Sequence, residues 1–220
     1  MSRPYVVAWT GASGVIYGVR TVQVLAGMGH EVALIISDAG RLVLREELGL
    51  HLPTSPTPLM LRDLFACEAL KPFDFEASSF LSRIQLFSPK DFTAPVASGS
   101  FPTQGMVIVP CSMGTLGAVA GGISQNLIHR AADCTLKEGR RLVIVPRETP
   151  LHAIHLENML KLAKMGVRVV PAMPGFYSGA VSLREMIDFV VGKILDQLEI
   201  PHALYPRWVG SAAKESHDRN

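Results

Sequence analysis

Charge is scarce in this chain. Asp, Glu, Lys and Arg make up 18% of its 220 residues, hydrophobic residues make up 48%, and the net charge is +2. That balance leaves no basic footprint for nucleic acid and no polybasic patch for a membrane surface. It implies instead much buried surface, including contacts between subunits. Cysteine is also scarce. Cys67, Cys111 and Cys134 are the only three, an odd number without C-x-x-C spacing, which excludes a disulfide scaffold and points to a reduced, cytoplasmic setting. Long apolar runs are missing too. The first, Tyr5 to Trp9, meets Gly11 too soon for a signal or membrane helix, and no other segment approaches spanning length. The chain has no H-E-x-x-H, and His152 and His155 beside Glu157 read as a helix start or surface group, so no metal is expected. Paired aspartates of the D-D-x-x-D kind, which hold Mg²⁺ against a diphosphate, are absent. Ser13 lies in G-A-S-G, not G-x-S-x-G, so a hydrolase nucleophile is not indicated, and Cys111 after an apolar run reads as packing.

What is present alternates strand and helix patterns. Tyr5–Trp9, Glu31–Ile36, Arg83–Phe87, Met106–Val109, Leu142–Val145 and Arg168–Val170 are short apolar runs of the buried parallel kind. Helices are expected over Val15–Met28, Ala39–Leu48, Leu59–Leu70, from the turn ending at Thr115 to about Ala120, from Asn126 to Gly139, over His152–Met165, and from Ser182 to Leu198. Ser37-Asp38, Asn126 and Ser182 supply caps. His51–Pro58 and Asp91–Phe101 read as loops, and the helix from His152 shows an apolar face of Ile154, Leu156, Met159, Leu160 and Leu162. The fold class is α/β, a doubly wound, mostly parallel sheet with helices on both faces. Residues 1–208 form one domain without internal repeats, and 209–220 are a polar tail.

Open α/β sheets bind ligands at the carboxyl ends of their strands. Four such ends carry suitable residues: Thr10-Gly11-Ala12-Ser13-Gly14, Ser37-Asp38, Ser112-Met113-Gly114-Thr115 and Arg147-Glu148-Thr149-Pro150. Glycines 11 and 14 allow backbone N–H groups to close on an oxyanion at a helix N-terminus. The spacing is neither the dinucleotide fingerprint nor a Walker A loop, and alone it reads equally as a tight turn. A second hydroxyl-rich turn at a neighbouring strand end favours a mononucleotide such as FMN. Arg130, Asp133 and Lys137 share one helix face at i, i+3 and i+7, which suits either an anion site or a solvated ion-pair row.

Taken together and in order, the motifs T-G-A-S-G, Ser37, A-S-G-S-F, P-C-S-M-G-T-L, R-A-A-D-C-T-L-K-E, V-P-R-E-T-P-L-H, H-L-E-N-M-L-K-L, P-A-M-P-G-F-Y and P-R-W resemble the UbiX-type flavin prenyltransferases over residues 4 to 208. The resemblance implies a flavodoxin-like fold and a dodecamer with sites between subunits. It implies a reaction joining a dimethylallyl group from dimethylallyl monophosphate to reduced FMN, giving the prenylated flavin used by UbiD-type decarboxylases. By motif, Gly11, Ala12, Ser13, Ser37, Ser112, Met113, Gly114, Thr115 and Arg147 would hold FMN, with Ser13 near N5. Tyr177 and Lys193 would hold the prenyl phosphate, joined by Arg130 and Lys137 from neighbouring subunits. Glu148 and Glu47 would be the acid/base groups. Phe92 stands where some members have Trp beside the prenyl pocket, a departure that bears on pocket shape.

The chemistry of these residues suits that reaction. A monophosphate leaves only when its developing charge meets preorganised cations, which Arg130, Lys137 and Lys193 can supply. Ring closure at C6 needs a base for the ring proton, either Glu148 or the departing phosphate. Two rival readings share the flavin site. One is an FMN-dependent decarboxylase of the phosphopantothenoylcysteine type, whose P-x-M-N-x-x-M-W is replaced here by P-R-E-T-P. The other is a non-enzymatic flavin carrier, which would have no need of Lys137 or Glu148. A direct aromatic-acid decarboxylase would lack an electron sink other than unmodified flavin.

Overall fold

A computed structural model describes residues 3–53, 57–65, 80–176 and 180–208. Six strands form one all-parallel sheet: β1 (Tyr5–Trp9), β2 (Val32–Ile36), β3 (Ile84–Phe87), β4 (Gly105–Cys111), β5 (Leu142–Pro146) and β6 (Arg168–Val169). Their order is β3-β2-β1-β4-β5-β6. The chain steps outward from β1 to β3, then crosses back to β4 on the other side of β1. The switch point therefore lies between β1 and β4, where doubly wound sheets open a ligand crevice.

Every residue of β1, β2, β4 and β5 is buried, as parallel strands covered on both faces require. Side chains alternate between two cores. Tyr5, Val7 and Trp9 pack on one face against α1 (Val15–Gly27) and α7 (Leu183–Gln197). Val6 and Ala8 pack on the other against α4 (Met113–Ala120) and α5 (Leu127–Lys137). The first face also takes Leu44 of α2 (Asp38–Leu48) and Leu61 and Leu64 of α3 (Pro58–Phe65). Across the α1–α7 contact, Arg20 Nε meets Asp188 Oδ1 at 2.8 Å in a buried ion pair, and Arg20 also donates to Gln23.

The expected caps form. Ser37, Asn126 and Ser182 each accept a backbone N–H of the helix they begin, and Ser182 with Glu185 completes a capping box. Most boundaries shift by one or two residues, β4 extending to Gly105–Cys111, and the stretches around β3 differ further. The helix read as Leu59–Leu70 is described over Pro58–Phe65, and residues 66–70 lie outside the described chain. Arg83 ends a 3-10 turn before β3, where its guanidinium reaches Glu31 at 3.2 Å. The loop after β3 carries a 3-10 turn, Pro95–Ala97, that lies along α5.

The last helix of the second face, α6 (Ala153–Lys164), does not bury the stripe its sequence shows. Leu162 is buried and Met159 packs partly against the core, but Ile154, Leu156 and Leu160 are 62%, 54% and 55% exposed. The periodicity announced an apolar face. Most of it points away from this chain's own core.

Cys111 and Cys134 are free and buried, and Cys67 lies outside the described residues. Burial pushes the Cys111 thiol pKa far up, which suits packing and not nucleophilic chemistry. Among the described residues no helix is long and apolar enough to cross a membrane.

Candidate active site

At the switch point the loops after β1 and β4 are tied together by Thr10. Its hydroxyl donates to the Pro110 carbonyl at 2.9 Å and accepts the Ser112 N–H at 2.8 Å. Thr10 is 1% exposed, so both bonds are shielded from water. This residue stood inside the quoted T-G-A-S-G motif but was given no role. The signal available was a threonine directly after a buried strand, ahead of a glycine turn. Thr10→Val removes both bonds and leaves the half-buried Ser112 N–H without its side-chain acceptor, a loss of about 1 kcal/mol or more. Chemical denaturation and a flavin titration of that variant should show lower stability together with weaker FMN binding.

Gly14 caps α1 in the left-handed region, at φ 95°, and offers no side chain to the helix N-terminus. The cap comes instead from α2. Both carboxylate oxygens of Glu47 accept the Gly14 N–H, at 2.9 and 3.0 Å, and one also accepts the Val15 N–H at 2.9 Å. Glu47 raises the pKa of neighbouring Tyr17, after burial, which is the larger cause. The cradle read as an oxyanion site thus aims its donors at a negative oxygen.

Opposite it, α4 begins with Ser112, whose Oγ accepts the Thr115 N–H at 3.3 Å and lies 3.1 Å from the Thr115 hydroxyl. Neither α1 nor α4 carries an acidic residue in its own first turn. The α4 end therefore turns its positive pole to the crevice, as a phosphate-bearing ligand requires, whereas the α1 end is already met by the Glu47 carboxylate. Gly114 is exposed, and a Cβ there would meet nothing within 4 Å, so the turn presents open backbone. Gly11 and Ser13 are exposed on the first loop, Ala12 is buried beneath it, and Met113 is buried beneath the second. Ser37 sits at the end of β2, its hydroxyl oxygen taken up as the cap of α2.

From β5 comes Arg147. Its backbone N–H donates to the Cys111 carbonyl at 3.4 Å, and its Nε donates to the Ser13 carbonyl at 3.3 Å. Glu148 follows, exposed, with its Oε1 accepting the Thr149 N–H at 3.1 Å. The structure thus gathers Gly11, Ala12, Ser13, Glu47, Ser37, Ser112, Met113, Gly114, Thr115, Arg147 and Glu148 at one edge of the sheet. These residues fit a flavin mononucleotide.

The cations expected at the prenyl phosphate lie elsewhere in this chain. Leu127 at the start of α5 donates its N–H to the Pro89 carbonyl just past β3, so α5 runs back toward the opposite edge. Arg130 is held by the Ala97 carbonyl at 3.0 Å and by Asp133 at 2.7 Å. Lys137, in the last turn, pairs with Glu138 at 2.6 Å, which raises its pKa. All of β5 separates Lys137 from Glu148, roughly 16 Å at the usual rise per strand residue. Lys193 lies one turn from the end of α7, whose following residue Glu199 pairs with Arg141 ahead of β5, so it too is nearer that second edge. Phe92 is 49% exposed on the loop after β3. Tyr177 lies outside the described residues.

Among the described residues no group of three or more His, Cys, Asp or Glu side chains is placed to hold an ion, and His152 and His155 stack on each other with ring centroids 3.4 Å apart.

Comparisons with known proteins bear on the family and the fold. The model of the Flavoprotein family matches residues 2–195. The flavin prenyltransferase UbiX of Halalkalibacterium halodurans is 51% identical over 215 residues, 98% of this chain and 97% of the relative. The crystal structure of AnUbiX (PadA1) in complex with FMN and dimethylallyl pyrophosphate superposes with a TM-score of 0.79 at 35% identity, covering 96% of this chain and 99% of that one. A dodecameric FMN-dependent UbiX-like decarboxylase from Escherichia coli O157:H7 gives a TM-score of 0.76 at 39% identity, covering 94% of this chain and 100% of that one.

Proposed function

The chain belongs to the UbiX-type flavin prenyltransferases, within the Flavoprotein family, and from that premise we propose how its residues perform the transfer. The reaction joins a dimethylallyl group to reduced FMN. The C–O bond of the prenyl phosphate breaks as its carbon bonds N5, with loss of phosphate and of the N5 proton; the prenyl C=C bond then takes a proton at its inner carbon while its dimethyl carbon bonds C6, and the C6 proton departs. Bound FMN supplies the electron-rich N5 and C6 positions, and the chain's own residues do the rest.

The observation that carries this reading is the pair of loops locked by Thr10 across the switch point, with Arg147 closing on Ser13. In our assignment Gly11, Ala12, Ser13, Ser37, Ser112–Thr115 and Arg147 bind FMN and fix its orientation. Holding both reactants in one closed pocket removes much of the entropic barrier. Glu148, reaching out from the end of β5 beside Arg147, takes the proton at C6. Glu47, whose carboxylate already faces the loop N–H groups, is the second acid/base group. Lys193 and Tyr177, with Arg130 and Lys137, meet the charge that grows on the departing phosphate. The donor is taken to be the monophosphate, since the chain has no paired aspartates to bring Mg²⁺ to a diphosphate.

Because Lys137 and Lys193 sit nearer the other edge of the sheet from Glu148, we assign them, together with Arg130, to the sites of neighbouring copies in a homo-oligomer, a dodecamer like that of the Escherichia coli relative. The exposed apolar face of α6 supports such an assembly. In this reading residues 1–208 act as one domain in the cytoplasm, and the prenylated flavin passes to a UbiD-type decarboxylase.

Protein, reduced FMN and dimethylallyl monophosphate are mixed without oxygen, and the bound flavin is weighed. The expected result is a mass gain of one isoprene unit. Unmodified FMN under verified reducing conditions overturns the transferase reading and leaves a flavin carrier in its place.

A further inference from the structure

Resting on the assignment of Lys137 to the departing prenyl phosphate, we propose that residues 97–101 form a seat that aims the Lys137 ammonium, with Gly99 and Arg140 as its positioning residues. This stretch is the A-S-G-S-F motif, which is otherwise without a role in the reaction.

Three alternate carbonyls of the loop are taken up by α5 and the residues just after it. The Ala97 carbonyl accepts Arg130 Nε at 3.0 Å and the Cys134 thiol at 3.3 Å. Arg140, past the end of α5, donates through Nη2 to the Gly99 carbonyl at 2.6 Å and through Nη1 to the Phe101 carbonyl at 2.8 Å. Nη1 also lies 3.5 Å from the Thr103 hydroxyl. Between these positions Ser98 and Ser100 are exposed, their hydroxyls 2.8 Å apart. A planar guanidinium can hold two carbonyls through two nitrogens, where an ammonium is a single point. Arg140 thus acts as a buckle that fixes Gly99 against the end of α5.

What Gly99 leaves open is room for Lys137. Gly99 is buried, and a Cβ built on it would run into the Lys137 ammonium and the Glu138 carboxylate. Neighbours in sequence do not face each other on a regular helix. Lys137 is the last residue of α5 and Glu138 its cap, yet over Gly99 their side chains meet at 2.6 Å. They stay 48% and 37% exposed, so the pair is weak and a phosphate can take the carboxylate's place. The bond to Glu138 raises the Lys137 pKa, and Lys137, helped by Arg140, lowers that of Glu138. The seat therefore offers a charged ammonium from a defined place. Through the Ala97 carbonyl the same loop sets Arg130, so one element aims both cations that α5 lends.

The test compares Gly99→Ala, Arg140→Lys, Lys137→Ala and the Gly99→Ala/Lys137→Ala double variant, by steady-state prenylation, FMN titration and thermal melting of the whole assembly. Gly99 is not among the glycines of positive φ, and its new Cβ would meet only the ends of two flexible side chains, so the fold should hold. Gly99→Ala should lower kcat about tenfold, because the displaced ammonium misses the charge that grows on the leaving phosphate. KM for dimethylallyl monophosphate and FMN affinity should stay within about twofold of the parent, as for an interaction made in the transition state. Arg140→Lys keeps the charge, loses the fork, and should show the same split. If the seat acts through Lys137, the double variant is no slower than Lys137→Ala alone. A parental kcat in Gly99→Ala, additive losses, or a loss of FMN affinity that marks a merely structural role each overturn the seat. An Arg140→Lys protein with parental kcat, or one that unfolds or releases FMN, overturns the part given to Arg140. If Lys137→Ala leaves kcat unchanged, the phosphate assignment of Lys137 itself falls and the seat falls with it, an outcome separable from the others.

Discussion

Glu148→Gln should bind FMN as the parent does and lose about 10²- to 10⁴-fold in prenyl transfer, the usual worth of a positioned acid/base group. The substitution preserves shape and removes only the ability to take a proton. Little else depends on it, because Glu148 is exposed and its carboxylate accepts just the adjacent Thr149 N–H among its described hydrogen bonds. Arg147, the neighbouring flavin ligand in our assignment, is held through Cys111 and Ser13 and does not lean on Glu148. Single-turnover prenylation followed by flavin mass, beside a flavin titration, separates chemistry from binding. A variant with parental turnover would pass the base role to the departing phosphate.

The second large effect concerns assembly. Leu160→Asp places a carboxylate in the middle of the outward face of α6, between Leu156 and the helix end, without touching the buried Leu162. If that face is a subunit contact, each copy buries an unpaired charge, and the cost of several kcal/mol recurs at every equivalent interface. Analytical ultracentrifugation should then find small species in place of the large oligomer. Prenylation should fall below about 1% of parent, because cations one copy lends another are no longer in reach. An intact, active assembly would show that α6 faces solvent and that the sites do not depend on it.

Much of the fold could be read in the residues, because local rules decided it. The buried runs of β1 and β5 and the caps at Ser37, Asn126 and Ser182 each follow from a few neighbours. The loops of the candidate site were legible for the same reason: they are the glycine- and hydroxyl-bearing turns that follow buried strands. What escaped was long-range. Glu47 caps a helix that starts 32 residues earlier, Arg147 reaches a carbonyl 134 residues away, and Thr10 bonds a backbone group 102 residues on. No spacing rule reports such encounters. The stripe on α6 was visible, but amphipathicity does not tell a chain's own core from another chain's surface. The contact of Arg207 with Asp196 was hidden likewise, since nothing local says that Arg207 folds back onto α7.

The placing of Lys137 and Glu148 at opposite edges of one sheet has a genetic consequence. If each centre borrows cations across a boundary, a chain lacking Lys137 spoils its neighbour's centre and keeps its own flavin loops sound, and a chain lacking Glu148 does the reverse. Co-expressed, two such alleles would form mosaic particles in which some centres draw every part from an unimpaired donor. Each allele is null alone, and together they complement. Inheritance of the defect would follow the arrangement of the particle and not the dose of either gene.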